Sequence, residues 1–229
     1  MIERILVGAI GSNCWILPAY PGEGDPQAQD GGTGPTKVVV VDPGGDGERI
    51  IRFLEDRRFE PVLIALTHGH LDHTAAVPEL VAAARAKGRE LPIAIQSRDK
   101  CWLGEKGEET NRALFAAIGA SDFFSALWAA LPEADILVEG GQTLPGTGWE
   151  VIHTPGHTAG SMCLYHAGQG FLISGDTLFR DGVGRTDGPD SDEAALRQSI
   201  AGKLFSLPPG TKVFPGHGAP TTIGREQGN

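Results

Sequence analysis

The stretch Thr67-His68-Gly69-His70-Leu71-Asp72-His73 places three imidazoles and a carboxylate within six residues. Imidazole nitrogen and carboxylate oxygen are the donors of zinc, iron and manganese sites, and no cysteine is needed to complete such a set. The chain has seven histidines in 229 residues. Three of them in this window point to metal binding rather than to a solvated loop with incidental histidines. His68 and His70, two apart, can both turn toward one ion, and Asp72 and His73 can face a second ion nearby. Three later segments carry the same donor types behind a glycine: Thr154-Pro155-Gly156-His157-Thr158, Ser174-Gly175-Asp176-Thr177 and Pro215-Gly216-His217. Glycine there permits the tight backbone and close approach that a buried ion requires. Each is weak alone, because a Gly-His step in a loop is more often a turn. Together with the first loop they set five of the seven histidines after strand ends, whereas His153 and His166 fall inside strands and read as structural.

Donors from four separated stretches converge only if rigid elements deliver them. The apolar run Val62–Leu66 reads as a buried strand ending at the first loop, and Thr74–Ala86 as the helix that follows it. Upstream, residues 2–10 and 13–18 predict two strands about Gly11-Ser12, and Lys37–Val41 a strand that turns at Asp42-Pro43-Gly44-Gly45. Between the second and third of these, Ala19–Thr36 is Gly, Pro, Asp and Gln, a loop read as an insertion. Ile50, Ile51, Phe53 and Leu54 form a helical stripe within residues 48–58, and Ile93–Ile95 predicts a further strand. This alternation argues a layered α/β domain. Residues 99–131 break it. There Thr110–Ile118 and Asp122–Leu131 predict two helices carrying Phe115, Phe123, Phe124, Leu127 and Trp128, a helical insertion that buries its own apolar face. Strands return at Ile136–Val138, Trp149–His153, Met162–His166 and Phe171–Ser174, so two packed sheets are expected. Ser191–Ala201 reads as a helix, Lys212–Phe214 as a last strand, and the tail as short and polar. No linker divides the chain, and residues 1–229 are read as a single domain.

Hydrophobic content of 40% and charged content of 21% match an ordinary globular protein. A formal charge of −10 without a run of Lys and Arg argues against a nucleic-acid partner. Cys14, Cys101 and Cys163 show no CxxC spacing and are odd in number, which fits reduced thiols. No signal peptide and no membrane span is legible at the start or elsewhere, so a cytoplasmic protein without a membrane partner is expected.

With these residues in view, the sequence resembles the metallo-β-lactamase superfamily over nearly its whole length. The first loop has the HxHxDH pattern, and His157, Asp176 and His217 match the later ligand positions in order. The resemblance implies an αββα four-layer sandwich of two mixed β-sheets flanked by helices. It also implies two divalent metal ions, zinc first, with iron or manganese also suited. By the same resemblance His68, His70 and His157 would hold one ion, Asp72, His73 and His217 the other, and Asp176 would bridge them.

Gly175-Asp176-Thr177-Leu178-Phe179, Gly182-Val183-Gly184-Arg185 and the TPGHTAGS segment Thr154–Ser161 are similar to the glyoxalase II branch, which hydrolyses hydroxyacyl-glutathione thioesters. Arg185 matches a basic position that contacts substrate there. Asp187 and Gly218-Ala219-Pro220 stand where that branch has aromatic residues, and little chain follows His217. The ending PGHGAPTTIGR is similar to the short bacterial members of the branch, and weak selection for glutathione is the expectation. The implied function is hydrolysis of a small-molecule acyl thioester. Two cations would acidify a shared water and polarise the carbonyl, with Asp72 or Asp176 taking up the proton. The alternative is a persulfide dioxygenase-like enzyme with one iron on His68, His157 and Asp176. A non-catalytic metal scaffold or sensor is disfavoured by the retention of all seven ligand positions.

Overall fold

The computed structural model describes residues 2–19 and 34–228. The loop expected from Ala19 to Thr36 falls mainly outside the described residues. The chain opens with an antiparallel hairpin of β1 (Glu3–Val7) and β2 (Ser12–Pro18). Next come β3 (Thr36–Val41), α1 (Gly47–Asp56), β4 (Phe59–Leu66), α2 (Leu71–Thr74), α3 (Val77–Ala86) and β5 (Ile93–Gln96). Two 3-10 turns, Ser97–Trp102 and Gly104–Lys106, lead into α4 (Gly107–Ala117), α5 (Ser121–Leu127) and β6 (Ile136–Val138). These six strands form one sheet in sequence order, antiparallel at β1-β2-β3 and parallel at β3-β4-β5-β6. A parallel pair needs a long crossover, and residues 97–135 supply it between β5 and β6.

The second half builds β7 (Glu150–His153), β8 (Met162–His166), β9 (Phe171–Gly175), the small hairpin β10 (Leu178–Phe179) and β11 (Gly182–Val183), and α6 (Glu193–Ser199). β12 (Lys212–Pro215), β13 (Thr221–Thr222) and α7 (Ile223–Gln227) complete it. The second sheet runs β13-β12-β9-β8-β7 and is also mixed, parallel only at β12-β9. The four layers are visible in how one strand divides its side chains. Val38 and Val40 of β3 face the cluster with Ile50, Leu54, Leu80 and Val81 of α1 and α3. Val39 and Val41 face the opposite way and pack with Trp149, Val151, Met162 and Ile173 near and on the second sheet. The far side of that sheet packs Cys163, Leu172 and Val213 against Leu196 of α6 and Ile223 of α7. A strand buried on both faces needs an unbroken β-branched run rather than alternation, and that is what residues 38–41 supply. A buried aliphatic side chain is worth about 1.5–3 kcal/mol and an exposed ion pair about 0–1. The three apolar layers therefore decide the stability.

Four local expectations are corrected. The first strand stops at Val7, because Gly8 and Gly11 take positive φ in the hairpin turn. The helix expected from Thr74 is broken after the four-residue α2, and α3 begins at Val77 with Pro78 in its first turn, where a missing N–H costs nothing. The helix expected at 191–201 begins at Glu193 behind the N-cap Asp192, whose carboxylate accepts the Ala195 N–H at 2.9 Å, and relaxes after Ser199 into a π-type turn, Ile200–Leu204. The tail is not merely polar: β13 and α7 bury Ile223 and Glu226. Glu226 accepts the Asp181 N–H at 2.9 Å and so ties the chain end to the turn between β10 and β11. Among the described residues no helix is long and apolar enough to cross a membrane. The three cysteines are free thiols.

Candidate metal centre

All seven donors singled out by spacing meet at one edge of the two sheets. Leu66 ends β4 at the first loop, β9 ends at Gly175 beside Asp176, β7 ends at His153 four residues before His157, and β12 ends at Pro215 beside His217. Gly175 takes φ 48°, and a side chain there would collide with Thr67. A methyl at Gly216 would stand 2.1 Å from Asp176 Oδ1 and 2.8 Å from His73 Cε1, so only glycine lets β12 bring His217 in.

The donors fall into two triads. In each of His68/His70/His157 and Asp72/His73/His217, one donor atom per residue lies within 4.8 Å of the other two. His70 Nδ1 and His157 Nε2 stand 3.0 Å apart. That is close to the roughly 3.3 Å expected of two nitrogens on one tetrahedral zinc. In the other triad Asp72 Oδ2 lies 3.2 Å from His73 Nε2 and 3.1 Å from His217 Nε2. Asp176 sits between them: Oδ1 is 3.5 Å from His73 Nε2, while Oδ2 is 3.8 Å from His157 Nε2 and 3.6 Å from His217 Nε2.

His68 Nε2, His73 Nε2 and Asp176 Oδ1 are buried and make no hydrogen bond. A buried polar atom left so costs about 1–3 kcal/mol, and three of them aimed at one small volume are the signature of a cation site. The residues present therefore fit divalent metal. Asp72 and His217 keep 28% and 27% of their side-chain surface exposed, so the site opens to solvent on that side.

The electrostatics divide along the same line. Burial, followed by the neighbouring imidazoles, holds His68 well below the usual imidazole range; burial and then His157 do the same to His70. Both are neutral lone-pair donors at pH 7. Burial also works to lower His73. The charges of Asp72 and Asp176 and the hydrogen bond to Asp42 outweigh it and carry His73 well above that range. His217 is raised by its hydrogen bond to Asp72. Asp72 is held well below the carboxylate range, burial notwithstanding, by His73 and His217, while burial lifts Asp176.

Several residues that build the site carried no signal in the spacing. Asp42, read as part of a turn, follows β3 at φ 52°, a left-handed conformation that aspartate tolerates better than most residues. Its carboxylate accepts from Thr67 N (2.8 Å) and Thr67 Oγ1 (2.6 Å) and contacts His73 Nδ1 at 3.0 Å, leaving Nε2 to face inward. An oxygen of Asp42 also lies within 4.8 Å of donors of His68 and His73. These three bonds engage both Asp42 oxygens, so Asp42 orients donors. The hairpin of the first sheet stitches in the last donor from the second. Ser12 bridges to His217 and its hydroxyl donates to Asp72 Oδ2 at 3.1 Å, while Asn13 N and Trp15 Nε1 donate to Gly216 O and Pro215 O. Trp102, from the crossover, stands edge-on to His70 with ring centroids 4.8 Å apart. The helices α4 and α5 pack Phe115, Phe124 and Trp128 on one another, but Phe115 and Trp128 also pack against the core of the first sheet and Phe123 stays exposed, so the pair does more than cover its own apolar face. His153 contacts Ala159 O at 3.0 Å and His166 lies against Trp149, and neither belongs to a donor triad.

Asp99 is fully buried and ties together the loops of the first triad. Its Oδ2 accepts from Gly69 N (3.0 Å) and Thr158 Oγ1 (2.8 Å), and its Oδ1 from Gly160 N (2.6 Å). Burial lifts this carboxyl to about 7, the three hydrogen bonds offsetting only part of the cost. Asp99→Asn must aim an amide NH₂ at a backbone N–H, and one loop loses its anchor. Metal affinity of the His68/His70/His157 triad should fall about 10–100-fold, as for other groups that orient ligands, measured by competition with a chromophoric chelator. Unchanged affinity would show that the loops hold their register without it.

Residues 32–217 match the family model of the metallo-β-lactamase superfamily. The chain is similar to the probable metallo-hydrolase YqgX of Bacillus subtilis, 34% identical over 227 residues, which cover 98% of this chain and 93% of that protein. It is also similar to the hydroxyacylglutathione hydrolase GloC of Haemophilus influenzae, 34% identical over 190 residues, 83% of this chain and 84% of that one. Among solved structures, the B3 metallo-β-lactamase BLEG-1 superposes with a TM-score of 0.79 at 32% identity, covering 100% of this chain and 97% of the other. The chain belongs to the metallo-β-lactamase superfamily, a family of metallo-hydrolases, and its four-layer sandwich is that family's fold.

Proposed function

We propose that this protein hydrolyses a small-molecule acyl thioester in a site holding two divalent cations, zinc first among them. The observation that carries the reading is the position of Asp176 between two complete triads, with buried donor atoms of both sides unpaired. His68, His70 and His157 would hold one cation and Asp72, His73 and His217 the other, with Asp176 shared. Bound there, two such cations supply a water acidified toward neutrality and an electrophile for the carbonyl.

The chain's own groups do the rest. Asp42 sets the His73 ring, Asp99 sets the two loops of the first triad, and the Ser12 hydroxyl fixes Asp72 Oδ2. Asp72 and Asp176 are the carboxylates placed to accept a proton released at the centre, and Asp72 has the partly exposed route to pass it to solvent. A thiolate leaves without strong acid assistance, which suits a site where no lysine or tyrosine is found among the donors described. The likeness to GloC supports the thioester.

Protein reconstituted with zinc and assayed anaerobically should cleave a lactoyl thioester with release of free thiol, at two metals per chain. One iron per chain, with persulfide-dependent oxygen uptake and no thioester turnover, would replace this reading with that of an oxygenase using His68, His157 and Asp176.

A further inference from the structure

The chain carries an arginine against the metal centre whose charge it cancels itself. Arg185 follows β11 where the backbone is pressed onto the ligands. Its carbonyl oxygen contacts His157 Nδ1 at 2.8 Å, and a side chain on the preceding Gly184 would stand 1.9 Å from Asp176 O and 3.2 Å from His157 Nδ1. The Arg185 side chain itself is open to solvent, at 66% exposure. A guanidinium so placed would be a ready receptor for a carboxylate on an incoming ligand, because its planar fork matches a carboxylate in two parallel bonds.

That fork is already engaged. Arg185 Nε donates to Asp187 Oδ1 at 2.9 Å and the terminal nitrogen Nη2 to Asp187 Oδ2 at 2.7 Å. The pair is two residues apart and itself exposed, so little ordering is needed to keep it closed. We infer that Asp187 masks Arg185 and makes the mouth of the site selective against thiol carriers bearing a carboxylate, in favour of uncharged or cationic ones. This rests on the thioester reading for the word carrier, but the masking concerns ligand binding and stands apart from turnover. An anionic group arriving at the mouth meets a site with no net positive charge at this position and must displace Asp187 before it can use the fork. An exposed pair is held only modestly, so the discrimination is a matter of a few-fold rather than of exclusion.

The test uses two non-hydrolysable thioethers that differ in one group, S-acetonyl-3-mercaptopropionate and the corresponding propionamide, titrated calorimetrically into zinc-loaded protein. The native chain is expected to bind the carboxylate form about two- to threefold more weakly than the amide. Asp187→Ala should tighten the carboxylate form by about three- to tenfold and change the amide form by less than twofold. The double variant Arg185→Ala/Asp187→Ala should lose that gain, which separates the arginine from direct ligation of the carboxylate by zinc. A gain that survives in the double variant, no gain in Asp187→Ala, or a native chain that binds the carboxylate as tightly as the amide or tighter would each overturn the masking. Turnover of the two matching thioesters in parallel reports on the thioester reading by itself: loss of all hydrolysis with the binding pattern intact would reject that reading and leave the masking in place.

Discussion

Asp176→Ala is expected to lower thioester hydrolysis by at least about a thousandfold, near 4 kcal/mol of transition-state stabilisation at about 1.4 kcal/mol per tenfold. The reason is positional. Asp176 approaches His73 through one oxygen and His157 and His217 through the other, so it belongs to both triads at once. Its removal takes a negative charge from between two cations that then repel each other, and takes a candidate proton acceptor from the centre. Metal content should fall from two toward one per chain, measured by emission spectrometry after gel filtration. Asp176→Asn is the informative companion, because it keeps the volume while removing the charge. If it retained two metals, the charge would be dispensable for assembly and any remaining loss would be catalytic. Full metal content and full activity in Asp176→Ala would remove the bridging role altogether.

Stripping the metals should do more than stop activity. Three of the donor atoms that converge here, His68 Nε2, His73 Nε2 and Asp176 Oδ1, are buried without hydrogen-bond partners, so in the stripped protein their cost is carried by the fold. A ligand present at a thousand times its dissociation constant contributes about 4 kcal/mol to stability. For a chain of this length that corresponds to roughly 8–16 °C in Tm. The loss should reverse when zinc is returned.

The two triads should also differ in proton release, and the sign follows from their surroundings. His68 and His70 are held well below the ordinary imidazole range, hence neutral at pH 7 before metal arrives, and filling their triad should displace no proton from them. His73 and His217 are raised, so metal entering their triad must displace protons, and binding there should weaken as pH falls. Calorimetry in buffers of different ionisation enthalpy reads the proton count directly. Equal proton release from the two sites would show that the carboxylates around His73 do not hold a proton on it.

Much of this protein was legible in short range. The four donors of the first loop stand out by residue type and spacing, because a strand end followed by a tight loop is a local event; the three later ones are weak singly, and the resemblance to the superfamily completes the set. The division of Val38–Val41 between two cores is also local, since successive side chains on a strand must point to opposite faces. Helix limits were less legible. Pro78 and the break after Thr74 depend on how α2 is drawn toward the centre, and the π-type turn after Ser199 on packing behind the second sheet.

The supporting residues were not legible at all, and the reason is distance along the chain. Ser12 reaches His217, Asp42 reaches His73, and Asp99 reaches both Gly69 and Gly160 only after the chain has packed its two sheets face to face. No period or spacing encodes such pairs, because they join elements whose adjacency is set by burial of apolar faces elsewhere in the molecule. The same holds for Arg185 and Asp187. Their proximity could be read from the sequence, but that the Arg185 backbone lies against His157, so that its masking bears on the site, is decided by the fold that presses the chain after β11 onto His157 and Asp176.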